Sequence, residues 1–98
     1  MNKLSLISLI VKDYDAAVEF YTKKLGFEVA EDAAFGDKRW ITLKLANTPD
    51  SAVNLELAKS KDDEELVGKQ AGSFPFLGLG TDDCLGDYQR MKELGVID

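Results

Sequence analysis

The chain has 98 residues, 45% apolar and 31% charged, with twelve Lys and Arg against eighteen Asp and Glu and a formal charge of −6. That length allows one domain with one modest core, burying roughly 60 to 70% of the surface an extended chain exposes, and the apolar share excludes a disordered chain. The negative balance repels phosphate backbones and anionic lipid, so neither nucleic acid nor membrane is an expected partner. No histidine is present to ligate a metal. The first apolar run, Leu4 to Val11, is broken by Ser5 and Ser8 and is too short for a membrane span or a secretory signal. The single Cys84 has no partner for an internal disulfide, and a cytoplasmic location is expected.

Residues 3–12 predict a strand with Ile7, Leu9 and Val11 on one face and Leu6, Ser8 and Ile10 on the other. Both faces are largely apolar, which predicts a central position in a sheet. Asp13 then caps a helix with acidic Asp15 in its first turn, Lys23 and Lys24 in its last and Gly26 ending it. Ala17, Phe20, Tyr21 and Leu25 form the stripe expected to cover the Ile7, Leu9, Val11 face. Strands follow near 26–32, at 38–46 and at 52–58, separated by turns at Phe35-Gly36-Asp37 and Asn47-Thr48-Pro49-Asp50.

From Lys59 to Gly72 the chain is polar, with acidic residues at 62–65, and reads as a linker with at most a short helical turn. Residues 73–80, SFPFLGLG, predict a further strand, with Pro75 near its start and Gly78 and Gly80 leaving room for a close neighbour. A second helix is predicted from about Asp83, with Cys84, Tyr88, Met91 and Leu94 as its apolar stripe and Gly95 after it. Val96 and Ile97 then begin an extended segment. Asp13, Lys23, Leu25 and Gly26 recur 69 positions later as Asp82, Lys92, Leu94 and Gly95, so one plan of strand, capped helix and Leu-Gly terminus occurs twice.

Strand parity places Ser8, Trp40, Thr42, Lys44, Asn54 and Glu56 opposite the core-facing set, and these six are the candidate ligand-binding residues. A solvated sheet face with a cross-strand Lys44–Glu56 pair is the plainer reading of the same pattern. Trp40 suits stacking on a planar ligand, and equally suits packing. Cys84 near a helix start suits a nucleophile, but no histidine accompanies it and its spacing to Tyr88 and Met91 predicts a packing role. The 62–65 acids lack the alternation of a calcium loop, and Gly78-Leu79-Gly80 lacks the rest of a phosphate loop.

The stretch LISLIVKDYDAAVEFYTKKLGFEV, with Trp40, the Leu55-Glu56-Leu57 strand and FLGLGTDDCLGDYQRMKELGV, resembles the vicinal-oxygen-chelate superfamily of glyoxalases, bleomycin-resistance proteins and extradiol dioxygenases. The resemblance covers nearly the whole chain. It implies an α+β fold of paired βαβββ modules around a ligand cleft, in one domain over 1–98, with 1–58 a complete first module and 73–98 a partial second. Metal-dependent relatives take His from the first strand of each module and a carboxylate from later strands. The matching positions here are Leu6, then Phe76 or Pro75, with Glu56 at the carboxylate. The resemblance therefore implies no catalytic residue, no metal site and no cofactor. The expected function is metal-free binding, sequestration or resistance toward a small hydrophobic or aromatic molecule. The alternatives are a fragment of a metal-dependent lyase or dioxygenase and a self-assembling module without ligand. Because Val96-Ile97-Asp98 only begins another strand, a homodimer is expected to complete the structure.

Overall fold

The computed structural model describes residues 1–48 and 50–96. Pro49 of the expected turn, and Ile97 and Asp98 of the expected last extended segment, lie outside the described residues. Strands β1 (Leu6–Val11), β2 (Glu28–Phe35), β3 (Lys38–Lys44) and β4 (Ala52–Leu57) form one mixed sheet in the order β1-β4-β3-β2. β1 runs parallel to β4, and β3 runs antiparallel to both its neighbours. With α1 (Tyr14–Glu19) between β1 and β2, this is a βαβββ unit.

Alternation sends Leu9 and Val11 of β1, Ile41 and Leu43 of β3 and Leu55 of β4 to one face, where they are buried with Phe27. Tyr14, Ala17, Val18, Tyr21 and Leu25 cover that cluster from the helix. Each such aliphatic side chain contributes about 1.5–3 kcal/mol on full burial. Burial also raises the Tyr21 hydroxyl above its ordinary pKa. Arg39 ties the helix to the strands, donating to Asp15 at 2.9 Å and Asp32 at 3.0 Å with its guanidinium over the Tyr14 ring. Both carboxylates hold the guanidinium in its charged form.

The two helices share their end signals. Asp13 accepts from the Ala16 N–H at 2.9 Å, and Asp83 accepts from the Gly86 N–H at 3.0 Å at the start of α3 (Cys84–Glu93). Gly26 and Gly95 have φ of 80° and 78°, a conformation glycine adopts without steric cost. After α3 the Val96 N–H returns to Met91 O at 2.8 Å and the Gly95 N–H to Lys92 O at 3.2 Å, a Schellman closure. After α1 the Phe27 N–H reaches Tyr21 O at 3.0 Å, one residue further back. That extra residue is absorbed by a π-helical turn at Phe20–Lys24. It explains why Asp83, rather than the expected Asp82, caps the second copy. The stripe that packs on the core is Tyr14, Ala17, Val18, Tyr21 and Leu25, so Val18 takes the place expected for Phe20.

Several expectations are corrected. β1 is an edge strand, not a central one: among the described residues its only ladder neighbour is β4. Its outer edge is occupied by Gln70, whose Oε1 accepts from the Ile10 N–H at 2.6 Å while Nε2 donates to Ser8 O at 3.1 Å. The side-chain amide thus pairs backbone groups that a neighbouring strand would pair, which blunts the edge. The 59–72 segment contains more than a turn, because Ser60 accepts from the Asp63 N–H and first-turn acids favour the helix α2 (Lys61–Leu66). Residues 73–80 form no strand. Among the described residues they have no ladder partner, Pro75 lacks an N–H, and no atom approaches within 4 Å of where a Cβ would stand at Gly78 or Gly80. Consequently, among the described residues, no strand lies beneath α3. Its stripe is open: Cys84, Tyr88 and Leu94 are exposed and Met91 is half-buried, so the packing role predicted for Cys84 does not hold. Arg90 joins α3 to the first helix, donating to Lys24 O at 3.0 Å.

Candidate functional site

The face of the sheet opposite α1 is built from residues that cross-strand register brings into rows. Ser8 pairs with Asn54, Asn54 with Thr42 and Thr42 with Glu31, giving one row across all four strands. In the next row Ile10 pairs with Glu56 and Ala33 with Trp40, and the antiparallel register carries Trp40 opposite Glu56. On the other side Lys44 pairs with Glu28. All six candidate residues therefore stand on one face. Lys44 and Glu56 are not cross-strand neighbours, which removes the expected pair between them. Among the described residues Lys44 makes no ion pair.

The hydrogen bonds on this face converge on two carboxylates. Glu31 Oε1 accepts from Trp40 Nε1 at 3.2 Å and from Thr42 Oγ1 at 3.3 Å. Glu56 Oε1 accepts from Asn54 Nδ2 at 2.7 Å, and the same amide donates to Ser8 Oγ at 3.4 Å. Thr42 and Asn54 are each only 2% exposed, covered by these neighbours, whereas Ser8, Glu31 and Glu56 open to solvent. Asn54 Oδ1 is buried and has no hydrogen-bond partner among the described residues. A buried acceptor left in that state costs about 1–3 kcal/mol.

Glu31 was not legible by parity. Continuing the Glu28–Lys44 and Val29–Leu43 register would place it opposite Ile41 on the core face. A β-bulge at Ala30 shifts the register by one and turns Glu31 to the polar face. The available signal is energetic, since an unpaired carboxylate among Ile41, Leu43 and Leu55 would be costly to bury.

An apolar pocket of about 220 Å³ lies elsewhere, at the sheet end where β1 and β4 begin, under Leu77–Gly80. Leu4, Phe27, Leu43 and Val53 line it together with Lys44, Thr48 and Ser51, and none of Glu31, Asn54 and Glu56 reaches it. The polar rows are the better candidate because recognition needs a few placed polar groups as well as apolar area.

The sequence profile of the Glyoxalase/Bleomycin resistance protein/Dioxygenase superfamily matches residues 3–97. The chain belongs to that superfamily. An uncharacterized protein of Shewanella frigidimarina is 39% identical, with the match covering 92% of this chain and 68% of that protein. The Bacillus subtilis protein YurT, also uncharacterized, is 35% identical over 96% of this chain and 76% of its own length. Among solved structures, UcmS2 superposes with a TM-score of 0.81 at 27% identity, covering 97% of this chain and 76% of that one. TnmS3, an antibiotic binding protein from Streptomyces sp. CB03234, gives 0.76 at 25% identity, covering 97% and 72%. The superfamily's α+β fold is thus present in one βαβββ unit followed by α2 and α3.

Superfamily members that use a divalent metal need about three protein ligands for it. Here Leu6 occupies the first-strand position, Phe76 and Pro75 lie in irregular chain, and Glu56 is a single carboxylate. Among the described residues no three His, Cys, Asp or Glu side chains come together. The residues present do not fit such an ion. Among the described residues, no helix is long and apolar enough to cross a membrane.

Proposed function

We propose that the chain binds a small aromatic or hydrophobic molecule, without a metal, on the face formed by Ser8, Trp40, Thr42, Lys44, Asn54 and Glu56, and serves to sequester it. The observation that carries this reading is the half-satisfied row at the sheet centre: a nearly buried Asn54 with an unpaired Oδ1, beside an indole ring and two carboxylates. A sheet face built only for solvent has no reason to hold a buried orphan acceptor. The antibiotic binding activity of TnmS3, a structural neighbour, supports the same class of ligand.

Within this reading residues 1–58 form a complete first module and 73–98 a partial second module of one domain, which works in the cytoplasm as a homodimer. Exposed Leu85, Tyr88 and Leu94 on α3 support pairing with a second copy. A thermal-shift screen of small aromatics, with and without EDTA, tests the binding. A ligand at a hundredfold excess over its Kd stabilises by about 2.7 kcal/mol, and the shift is expected to survive EDTA. Trp40 fluorescence is expected to respond, and Trp40→Phe to weaken binding. A shift that requires a divalent ion, or one metal per chain in gel-filtered, untagged protein, defeats the reading.

A further inference from the structure

We infer that the ligand of this face carries a protonated amine, or a comparable cationic hydrogen-bond donor, on its aromatic body. This inference rests on the binding role proposed above and specifies the ligand's chemistry. Apart from the Ser8 hydroxyl, which only accepts, the side-chain donors in the two central rows are spent within the protein. Trp40 Nε1 and the Thr42 hydroxyl donate to Glu31 Oε1, and the Asn54 amide donates to Glu56 Oε1 and Ser8 Oγ. What remains open to a ligand, beside the Ser8 O–H, is mainly acceptor capacity: the second oxygens of the exposed Glu31 and Glu56, next to the buried and unpaired Asn54 Oδ1.

Charge points the same way. The two central rows hold Glu31 and Glu56 and no cation. Lys44, with Glu28 opposite it, stands one row beyond Ser8, Asn54 and Thr42, and Lys38 lies two residues before Trp40 at the hairpin end. The indole of Trp40 lies between the carboxylates, and its π face attracts a cation as well as an aromatic ring. A ligand carboxylate at this place would meet two like charges; an ammonium would meet two carboxylates.

Three probes that share a phenylethyl body separate the possibilities: 2-phenylethylamine, 2-phenylethanol and 3-phenylpropionate, each titrated at pH 7 into the full 15N-labelled chain and followed through the amides of residues 8, 31, 40, 42, 54 and 56. The amine is expected to bind at least about tenfold tighter than the carboxylate, with the alcohol between them. Glu31→Gln and Glu56→Gln are each expected to shrink the amine-to-carboxylate ratio. Equal affinity for all three probes, or preference for the carboxylate, overturns the charge inference and leaves the binding role standing. No shift with any probe at these amides overturns both. The comparison on the unsubstituted protein stands even if a variant misfolds.

Discussion

Asn54 gives away both amide protons and receives none, so its side chain is fixed by what it donates to. The Glu56 carboxylate at 2.7 Å and the Ser8 hydroxyl define which way the amide points, since a reversed amide would set Oδ1 against a carboxylate. Asn54→Asp removes those donors and places a buried charge beside Glu56. We expect a loss of about 2–4 kcal/mol at pH 7 in urea denaturation. In the folded variant the introduced carboxyl would have a raised pKa, so its penalty is full above that pKa and disappears below the unfolded value of about 3.9. Urea midpoints at pH 7 and pH 4 check this: a variant equally destabilised at both pH values has lost packing rather than gained a charge. The shared face of all six candidate side chains was legible from strand parity, because they alternate along ladders in β1, β3 and β4 that no bulge interrupts within those strands. Glu31 was not, because one inserted residue in β2 reverses parity and leaves no compositional mark.

At the level of elements, the π turn at Phe20–Lys24 is an insertion held inside an otherwise regular helix. The repeat of Leu-Gly ends is visible in the sequence, but the extra residue is not, because residues 20–24 have ordinary helix-compatible chemistry. Deleting Lys23, which is exposed and makes only a long contact of 3.5 Å to Glu19, is expected to convert the turn to plain α-helix. Asp13, Tyr14, Ala17 and the Gly26 closure would keep their relative phase, and thermal denaturation should change by no more than about 1 kcal/mol. Deleting Ala16 instead, outside the π turn, would rotate Tyr14 away from the core and is expected to cost several times more. Equal losses for both deletions would mean that the turn is not a separable insertion. The 73–80 segment was misread for a related reason. Its alternating Phe and Leu residues match a strand pattern, but a strand exists only with a ladder partner, and the sequence of one segment does not contain its partner.

On the scale of the whole molecule, stability is unevenly distributed, and the unevenness separates the two modules. The first is closed: Ile41, Leu43 and Leu55 are essentially inaccessible, three ladders connect four strands, and Gln70 blunts the β1 edge. α3 contains no buried residue and is fastened to the first helix by Arg90. Its caps at Asp83 and Gly95 contribute about 1 kcal/mol each, too little to hold a ten-residue helix without packing. For the isolated chain, native-state hydrogen exchange should therefore rank the amides of β3 and β4 as the slowest, near the global unfolding limit. Amides of α3 and of residues 73–80 should exchange at least about a hundredfold faster. A second copy covering Leu85, Tyr88 and Leu94 would change this in a specific way. Protection of α3 would rise with protein concentration, while that of β3 and β4 would rise only as the global limit rises, because their cover is already intramolecular. Measuring exchange at about 10 µM and about 1 mM, with sedimentation equilibrium across the same range, reads both effects. Concentration-dependent protection of α3 accompanied by a dimer supports the homodimer. Protection of α3 as strong as that of β3, unchanged across the range and in a monomer, would show that the second module is stabilised within one chain.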